Sequence, residues 1–208
     1  MKGKRSYQLT EDLRVRPISE EDTEMIVEWR NRDFVRRNFI FREPFTVQMH
    51  RNWMATKVAP GLVEQFIIEY RMQEKGDKEN LKETAAGLFT PVGSVYLRDV
   101  DYVEKQAEYG IFLGEEGAYG KGIGNRAARW AVWYAKEELQ LDTMILRAFA
   151  DNERALKSYR QAGFEPVETI KDFLVDGDKH RNLVFMKIDL KEKQSKRDLL
   201  RDFFETKG

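Results

Sequence analysis

The chain has 208 residues, of which 41% are hydrophobic, and its 36 lysine and arginine residues balance its 36 aspartate and glutamate residues. That length gives one sizeable core or at most two small domains, and the balanced charge argues against a broad nucleic-acid surface. The absence of cysteine excludes disulfides, thiolate metal sites and a cysteine nucleophile, and with only two histidines we expect no metal site.

The sequence also lacks the usual marks of a membrane or secreted protein. No apolar run is long enough to span a bilayer. The basic residues Met1 to Arg5 are not followed by the apolar region of a secretory signal. We therefore expect a cytoplasmic protein that binds neither membranes nor nucleic acids.

The N-terminal part of the chain predicts a strand followed by two helices. Leu13 to Pro17 alternates between apolar and basic residues and ends in proline, which is typical of a strand. Ser19 to Asp22 resembles a capping box, so we predict a helix from there to about Asn31. Thr46 is a candidate cap for a second short helix through Thr56.

Three apolar runs in the middle of the chain predict further strands. They are Gln65 to Tyr70, Val92 to Leu97 and Glu108 to Leu113. Between the first two lies the charged segment 73–84, which contains a Gly-Asp pair. We predict an exposed hairpin insertion there, since glycine and aspartate favour turns.

The C-terminal half predicts alternating helices and strands. A helix should follow a glycine-rich loop and run through Lys136, and Thr143 to Phe149 should form the next strand. Asp151 or Asn152 should cap a second helix that ends at Gly163 in the left-handed conformation. Such a mixed order of elements favours a single α/β domain on a mixed sheet.

Two C-terminal segments complete the prediction. Phe173 to Val175 and Leu183 to Ile188 read as a closing antiparallel pair. Residues 191–208 form a charged tail with apolar residues at helical spacing. The tail would dock on the domain or on a partner, which leaves a homodimer open.

The glycine-rich segment from Tyr119 to Ala127, with the sequence Y-G-K-G-I-G-N-R-A, is the most informative part of the chain. It follows the apolar run Tyr109 to Leu113 and opens a helical pattern. Glycine permits positive φ and leaves room above the backbone, and N–H groups at a helix N-terminus attract anions. The segment therefore predicts a loop that holds phosphates.

Known phosphate-binding patterns leave several interpretations open. A Walker A loop is disfavoured because Gly122 follows Lys121, where a hydroxyl residue is needed. Gly122 to Ala127 does satisfy the dinucleotide pattern G-x-G-x-x-[GA], although Gly114 to Tyr119 separate it from the preceding strand. A dinucleotide-binding oxidoreductase, or a glycine-rich turn with no ligand, remains an alternative.

Two motifs together point to one family. The segment Gly122 to Gly124 resembles the end of motif A, [RQ]-x-x-G-x-[GA], of the GNAT acetyltransferase superfamily, although Tyr119 occupies its first position. Asn152 to Phe164 resembles that family's later motif, N-x-x-A-x-x-x-Y-x-x-x-G-F. Asn152 and Tyr159 are two helical turns apart, so they share one face of a helix. The resemblance extends roughly from residue 13 to residue 190.

This resemblance implies a fold and an acyl donor. It implies a single domain over residues 1–190, with a mixed, mostly antiparallel sheet, helices on both faces and a splayed strand pair that holds acetyl-CoA. In the family the motif asparagine contacts the coenzyme arm, and the motif tyrosine lies beside its sulfur. Acetyl-CoA would be a co-substrate, and no metal is implied. The coenzyme-binding candidates are Ile111, Phe112, Leu113, Tyr119, Gly120, Lys121, Gly122, Ile123, Gly124, Asn125, Asn152 and Tyr159.

The chemistry suggests direct acetyl transfer to a primary amine in a ternary complex, because a chain without cysteine cannot form an acyl-cysteine. Tyr159 is the candidate general acid, since a neutral phenol can donate a proton to the departing thiolate. Glu108 is the candidate base, acting directly or through water. Tyr159 as a packing residue and Glu108 as a solvated charge are the corresponding alternatives.

The acceptor side depends on a further resemblance. Glu28 to Asn31 and the pair His50 and Trp53 resemble the ribosomal-protein N-acetyltransferase-like branch of the superfamily, and look closest to acetyltransferases of amino-sugar nucleotides. The resemblance makes Trp29, Arg30 and His50 candidates for binding an anionic small amine. Polyamines and protein N-termini remain alternative acceptors, and the acidic run from Glu20 to Glu28 would suit a polyamine. A non-catalytic module that binds coenzyme A or a partner remains an alternative of another class.

Overall fold

An eight-stranded sheet forms the centre of the computed structural model, which describes residues 5–71, 88–176 and 179–191. The strand order is β1-β2-β3-β4-β5-β6-β8-β7, and every neighbouring pair is antiparallel except β5 and β6. The strands are β1 Tyr7–Thr10, β2 Leu13–Pro17, β3 Val63–Arg71, β4 Phe89–Asp101, β5 Gln106–Leu113, β6 Thr143–Phe149, β7 Glu165–Asp176 and β8 Lys179–Asp189. The predicted mixed, mostly antiparallel sheet is confirmed.

Helices cover both faces of this sheet, as predicted. They are α1 Thr23–Asn31, α2 Asp33–Arg36, α3 Val47–Trp53, α4 Ile123–Trp133 and α5 Glu153–Gln161. One core cluster packs α4 and α5 against one face, and a second packs α1 and the segment after α3 against the other. Residues 63–69 of β3 are all buried, because this strand faces both clusters.

The parallel pair β5 and β6 separates along its length. The two strands pair at only three positions, where residues Gln106 to Glu108 lie opposite Thr143 to Ile145. Beyond Glu108, β5 stays paired with β4 through Leu113, while β6 stays paired with β8 through Phe149. The predicted splayed strand pair is therefore confirmed, and it opens a cleft between the two halves of the sheet.

Short polar caps fix the helices beside this cleft. The Asn152 side chain accepts a hydrogen bond from the Ala155 backbone N–H at 3.3 Å, so Asn152 caps α5 as predicted. Gly163 follows α5 with a φ of +100°. Thr46 caps α3 by accepting from the Met49 N–H at 3.2 Å, although the α-helix ends at Trp53 and a wider π-type turn continues to Val58.

Two predicted segments lie outside the residues that the structure describes. The predicted insertion at 73–84 and the predicted tail beyond residue 191 fall outside the described residues. Within the described ranges, no helix is long and apolar enough to cross a membrane.

Candidate active site

A cavity of about 560 Å³ occupies the cleft where β5 and β6 part. One end is lined by β5, the glycine-rich loop and α5, and the other by α1, α3 and the segment between α2 and α3. Ile111, Phe112 and Leu113 lie on the part of β5 that has left β6, and all three line the cavity. The edge of β5 that faces β6 is therefore unpaired with β6 at these residues and open to the cleft.

The glycine-rich loop has the backbone that its glycines predict. Gly120 and Gly122 adopt φ values of +77° and +69°, in the left-handed region, and no other atom lies within 4 Å of a Cβ placed on either. Gly122 is the residue that precedes the first turn of α4, formed by Ile123, Gly124 and Asn125. The first N–H groups of a helix have no partner inside it. The loop therefore offers backbone donors and open space at the cavity wall.

Asn152 and Tyr159 both line the cavity, on one face of α5. The Asn152 amide nitrogen also reaches across to the Asn38 side-chain oxygen, at 3.3 Å. Tyr159 is only 9% exposed, and its ring packs edge-on against that of Tyr109 at 5.8 Å. Burial raises the pKa of Tyr159, so its phenol stays protonated at neutral pH.

Glu108 sits where the two strands begin to separate and is bound by two arginines. Arg98 Nη2 donates to Glu108 Oε1 at 2.6 Å, from the neighbouring strand β4. Arg147 Nη2 donates to Glu108 Oε2 at 2.8 Å, and its Nε donates to Oε1 at 3.1 Å, from β6. This cluster of one carboxylate and two guanidiniums lines the cavity and carries a net positive charge.

Tyr96 lies at the centre of these groups, and sequence reasoning missed it. Its ring lies over Gly110 on the adjacent strand, where a Cβ would overlap the ring atoms. Burial raises the pKa of Tyr96, whereas the charges of Arg30 and Arg98 act to lower it. A glycine inside a strand often marks such a close approach, so Gly110 was the available signal.

Arg30 occupies an aromatic slot at the opposite end of the cavity. Its guanidinium carbon lies 3.7 Å from the centre of the Phe39 ring and 4.6 Å from that of Phe45. Burial lowers its pKa, and the charge of Arg98 lowers it further, but arginine remains charged at neutral pH. Among the described side chains, no carboxylate forms an ion pair with Arg30.

His50 lies beside this slot and is 1% exposed. Its Nδ1 is 3.0 Å from Thr23 Oγ1, while Nε2 has no hydrogen-bond partner among the described residues. Burial lowers the pKa of His50, the charges of Glu20 and Asp22 oppose that shift, and the ring is neutral at neutral pH. Both His50 and Arg30 line the cavity, and their predicted contact with the acceptor stays a prediction.

The buried state of His50 predicts a pH-dependent stability. A histidine in the unfolded chain has a pKa of about 6.5. Below that pH, His50 therefore binds a proton more readily in the unfolded chain than in the folded chain. We therefore expect the free energy of unfolding to fall as the pH drops from about 7.5 to about 5.5. Denaturant titrations of His50→Asn should show a flatter pH dependence over this window. The exposed His180 offers a control, and a His180→Asn variant that flattens the profile equally would contradict the assignment.

Two candidates from the sequence do not lie on the cavity wall. Trp29 is 2% exposed in the core, where its Nε1 donates to Glu115 Oε1 at 2.7 Å. Trp29 turns inward because its ring packs against the bare Cα of Gly114, and it meets the cavity-lining Phe112 edge-on at 6.3 Å. Lys121 points toward the Tyr70 ring, at 5.4 Å, and is also absent from the lining.

The acidic run before and within α1 does not line the cavity, although the charges of Glu20 and Asp22 act on His50 in its wall. Glu20, Glu21, Glu24 and Glu28 are exposed and are not among the lining residues. Asp22 is buried and accepts from Arg16 Nη2 at 2.6 Å. Within the described part of the chain, the carboxylates that line the cavity are Glu43 and Glu108.

The splayed strands, the left-handed glycine loop and a buried phenol facing the cleft define the class of an N-acetyltransferase. A family model described as "Acetyltransferase (GNAT) domain" matches residues 12–165. The chain belongs to this family and is an N-acetyltransferase. Among the described residues, no group of three or more histidine, aspartate or glutamate side chains could hold a metal ion.

Curated relatives share moderate identity with the chain. Spermidine N(1)-acetyltransferase of Escherichia coli K12 is 28% identical over 176 residues, which is 84% of this chain and 84% of that protein. The putative ribosomal N-acetyltransferase YdaF of Bacillus subtilis is 32% identical over 93 residues, covering 45% of this chain and 50% of the relative.

Solved structures share the fold. A crystal structure of spermidine N-acetyltransferase from Vibrio cholerae, in complex with CoA and spermine, has a TM-score of 0.72 at 18% identity, over 87% of this chain and 97% of that one. A probable acetyltransferase has a TM-score of 0.70 at 21% identity, over 90% of this chain and 98% of the other. At these identities, the likeness establishes the fold alone.

Proposed function

We propose that the chain transfers the acetyl group of acetyl-CoA directly to the primary amine of a small acceptor that carries an anionic group. The proposal that acetyl-CoA is the donor rests on the cleft between β5 and β6, which has the glycine loop at one end and Tyr159 facing it. The family assignment supports the same reaction class. The proposal that the acceptor is anionic rests on the positive charge at the other end of the cavity.

The donor would lie along β5 with its diphosphate at the glycine loop. The open space over Gly120 and Gly122, together with the first N–H groups of α4, suits an anion. The pantetheine arm would then pair with the free edge of β5 from Ile111 to Leu113. Asn152 would contact that arm, and Ser158, whose Oγ is buried without a described partner, faces the same space.

The proposed reaction forms one C–N bond and breaks one C–S bond. The neutral amine attacks the thioester carbonyl carbon. A backbone N–H of β5 polarises that carbonyl and stabilises the oxyanion of the tetrahedral intermediate. Collapse of that intermediate expels the CoA thiolate, which takes a proton from the Tyr159 phenol. The proton released by the amine leaves through a base or water, and a proton from solvent restores the Tyr159 phenol. The products are an amide and free CoA thiol.

The charge of the acceptor end favours an anionic acceptor. The arginines Arg30, Arg98 and Arg147 all lie close enough to act on Tyr96, and Glu108 opposes them. A polyamine carries several ammonium groups and needs carboxylates, whereas the described lining of this end has three guanidiniums, those of Arg30, Arg98 and Arg147, against the carboxylates of Glu43 and Glu108. A guanidinium without a carboxylate partner is suited to a phosphate or carboxylate. An amino sugar attached to a nucleotide fits this chemistry.

Spermidine is a second candidate acceptor. It is favoured by the E. coli relative and by the V. cholerae structure, whose names specify spermidine acetylation. The ribosomal-protein N-acetyltransferase-like branch is supported only through part of the chain, by the B. subtilis relative. A dodecameric structure is known for the V. cholerae protein, and self-association of this chain, as a homodimer for example, stays a prediction.

The two acceptor classes respond in opposite ways to the loss of Arg30. Thiol release from acetyl-CoA should be followed with spermidine, an amino-sugar nucleotide and a peptide N-terminus as acceptors. We expect Arg30→Ala to raise KM for the anionic acceptor by about tenfold or more, because a charge-assisted hydrogen bond is lost, and to change kcat little. Spermidine turnover should be unchanged or improved.

A control tests whether the effect is local. Arg36 pairs with Asp33 on the surface of α2 and does not line the cavity, so Arg36→Ala should leave both KM values unchanged. Efficient spermidine acetylation that ignores Arg30→Ala, with no turnover of the amino-sugar nucleotide, would overturn the anionic acceptor and leave the acetyltransferase intact.

Glu108 offers a separate test of the base. As a base it would relay the proton of the amine, whereas its contacts give it a second role, holding Arg98 and Arg147 at the cavity wall. We expect Glu108→Gln to lower kcat and to remove the acid limb of its pH profile if Glu108 takes the proton. An unchanged kcat with a raised acceptor KM would restrict Glu108 to positioning the arginines.

A further inference from the structure

The first position of the glycine-loop motif is occupied by an unusual residue. The family pattern has arginine or glutamine there, and this chain has Tyr119. Tyrosine provides neither a cation nor an amide donor for the phosphates beside the loop. Its hydroxyl lies 3.3 Å from the carbonyl oxygen of Leu113, and its ring packs edge-on against Phe34 at 5.9 Å. The ring is thus fixed in place at the start of the loop.

A guanidinium from another element lies on this ring. The guanidinium carbon of Arg154, in the first turn of α5, is 3.9 Å from the centre of the Tyr119 ring. Arg154 is exposed and lines the cavity, and no ion pair to a carboxylate is found for it among the described residues. Burial raises the pKa of Tyr119, and the charges of Arg154 and Arg37 oppose that rise.

The contact with Tyr119, which includes a side-chain hydrogen bond, uses only part of the donor set of Arg154. A guanidinium is planar, and its five N–H donors point outward in the plane of the group. When one face lies on an aromatic ring, the other donors remain available to a phosphate at the side. Tyr119 would therefore act as a platform that holds Arg154 beside the glycine loop.

We propose that Arg154 binds a phosphate group of the acyl donor and that, with Tyr119 beneath it, it replaces the basic or amide residue missing from the loop. This assignment rests on the proposed function. The acceptor's anion is assigned to other arginines, because Arg30, Arg98 and Arg147 act on Tyr96, whereas Arg154 and Arg37 act on Tyr119. Arg154 instead lies two residues after Asn152, on the helix that faces the loop.

The binding of two coenzymes tests the proposal. Dissociation constants of CoA and of dephospho-CoA, which lacks the 3′-phosphate, should be measured by calorimetry for wild type and Arg154→Met. We expect Arg154→Met to weaken CoA binding about tenfold, as the loss of one charge-assisted hydrogen bond would. An unchanged affinity for dephospho-CoA would assign Arg154 to the 3′-phosphate, and an equal loss would assign it to the diphosphate.

A control and a rescue separate this role from general electrostatics. Arg160 lies on the same helix, is exposed and does not line the cavity, so Arg160→Met should bind CoA like wild type. In the Arg154→Met background, Tyr119→Arg restores a family residue and should recover most of the affinity.

Results that would overturn the assignment of Arg154 differ from results that would overturn the proposed function. Wild-type CoA affinity in a folded Arg154→Met variant, or an equal loss in Arg160→Met, would overturn the assignment of Arg154 alone. A wild-type chain that binds no CoA would overturn the proposed function with it.

Discussion

Replacing Tyr159 by phenylalanine should lower kcat by a factor on the order of 10² to 10⁴, the usual range for removing a general acid. The fold should persist, because the ring keeps its packing against Tyr109 and Phe164. The KM for acetyl-CoA should change little, since the phenol is assigned to the departing thiolate and not to binding. Burial raises the pKa of Tyr159, so the wild-type proton is present throughout the neutral range. Steady-state kinetics of thiol release measures both quantities.

A second buried phenol provides the matched control. Tyr134 is also buried, but its hydroxyl donates to Glu64 Oε2 at 3.1 Å in the core, and it does not line the cavity. Tyr134→Phe should therefore leave kcat unchanged, whatever it costs in stability. A folded Tyr159→Phe variant that turns over at the wild-type rate would reduce Tyr159 to a packing residue, or show that thiolate release does not limit the reaction.

Much of the fold could be predicted because the apolar runs were clear. The strand Thr143–Phe149 has the predicted ends, and the segment Leu13–Pro17 does as well. The strand Tyr7–Thr10 was not predicted, because four residues at the edge of a sheet give too short an alternation. The last strand pair was predicted too short, since β7 begins at Glu165 and its exposed charged residues hide the pattern.

The residues proposed for the donor lie close together with their motifs along the chain, whereas the residues proposed for the acceptor come from distant segments. Gly122 and Asn152 stand next to the helices that they begin, so spacing along the chain was enough to find them. Tyr96, Arg98 and Arg147 come from strands β4 and β6 and meet only through the sheet register. Nothing near them in the sequence marks them as a group, so they could not be found before the strand order was known.

The two ends of the cavity share one electrostatic problem. Acetyl-CoA carries several negative charges, and the proposed acceptor adds further negative charge. The charges of both molecules must be neutralised within one cleft. Arg154 and Lys157 line the end proposed for the donor, while Arg30, Arg98 and Arg147 line the end proposed for the acceptor. Placing separate arginines at each end lets the two anions bind together without competing for one cation, which a ternary complex requires.

Replacing Gly122 by valine should abolish acetyl-CoA binding. Gly122 has a φ of +69°, a region that costs an ordinary residue roughly 1–2 kcal/mol and a β-branched one more. The space above it is open, with no other atom within 4 Å of a Cβ, and is the space assigned to the diphosphate. A valine side chain would fill that space and tilt the first N–H groups of α4 away. Calorimetry with acetyl-CoA should detect no binding.

The strain and the loss of space can be separated with a second glycine. Gly61 has a φ of +81° and likewise no other atom within 4 Å of a Cβ, but it lies before β3 and outside the cavity lining. Gly61→Val should therefore lower the melting temperature about as much as Gly122→Val and leave acetyl-CoA affinity unchanged. If a folded Gly122→Val variant binds acetyl-CoA as tightly as wild type, the loop does not hold the diphosphate, and the donor must enter the cleft elsewhere. Equal losses of affinity in both variants would instead assign the effect to backbone strain transmitted through the fold.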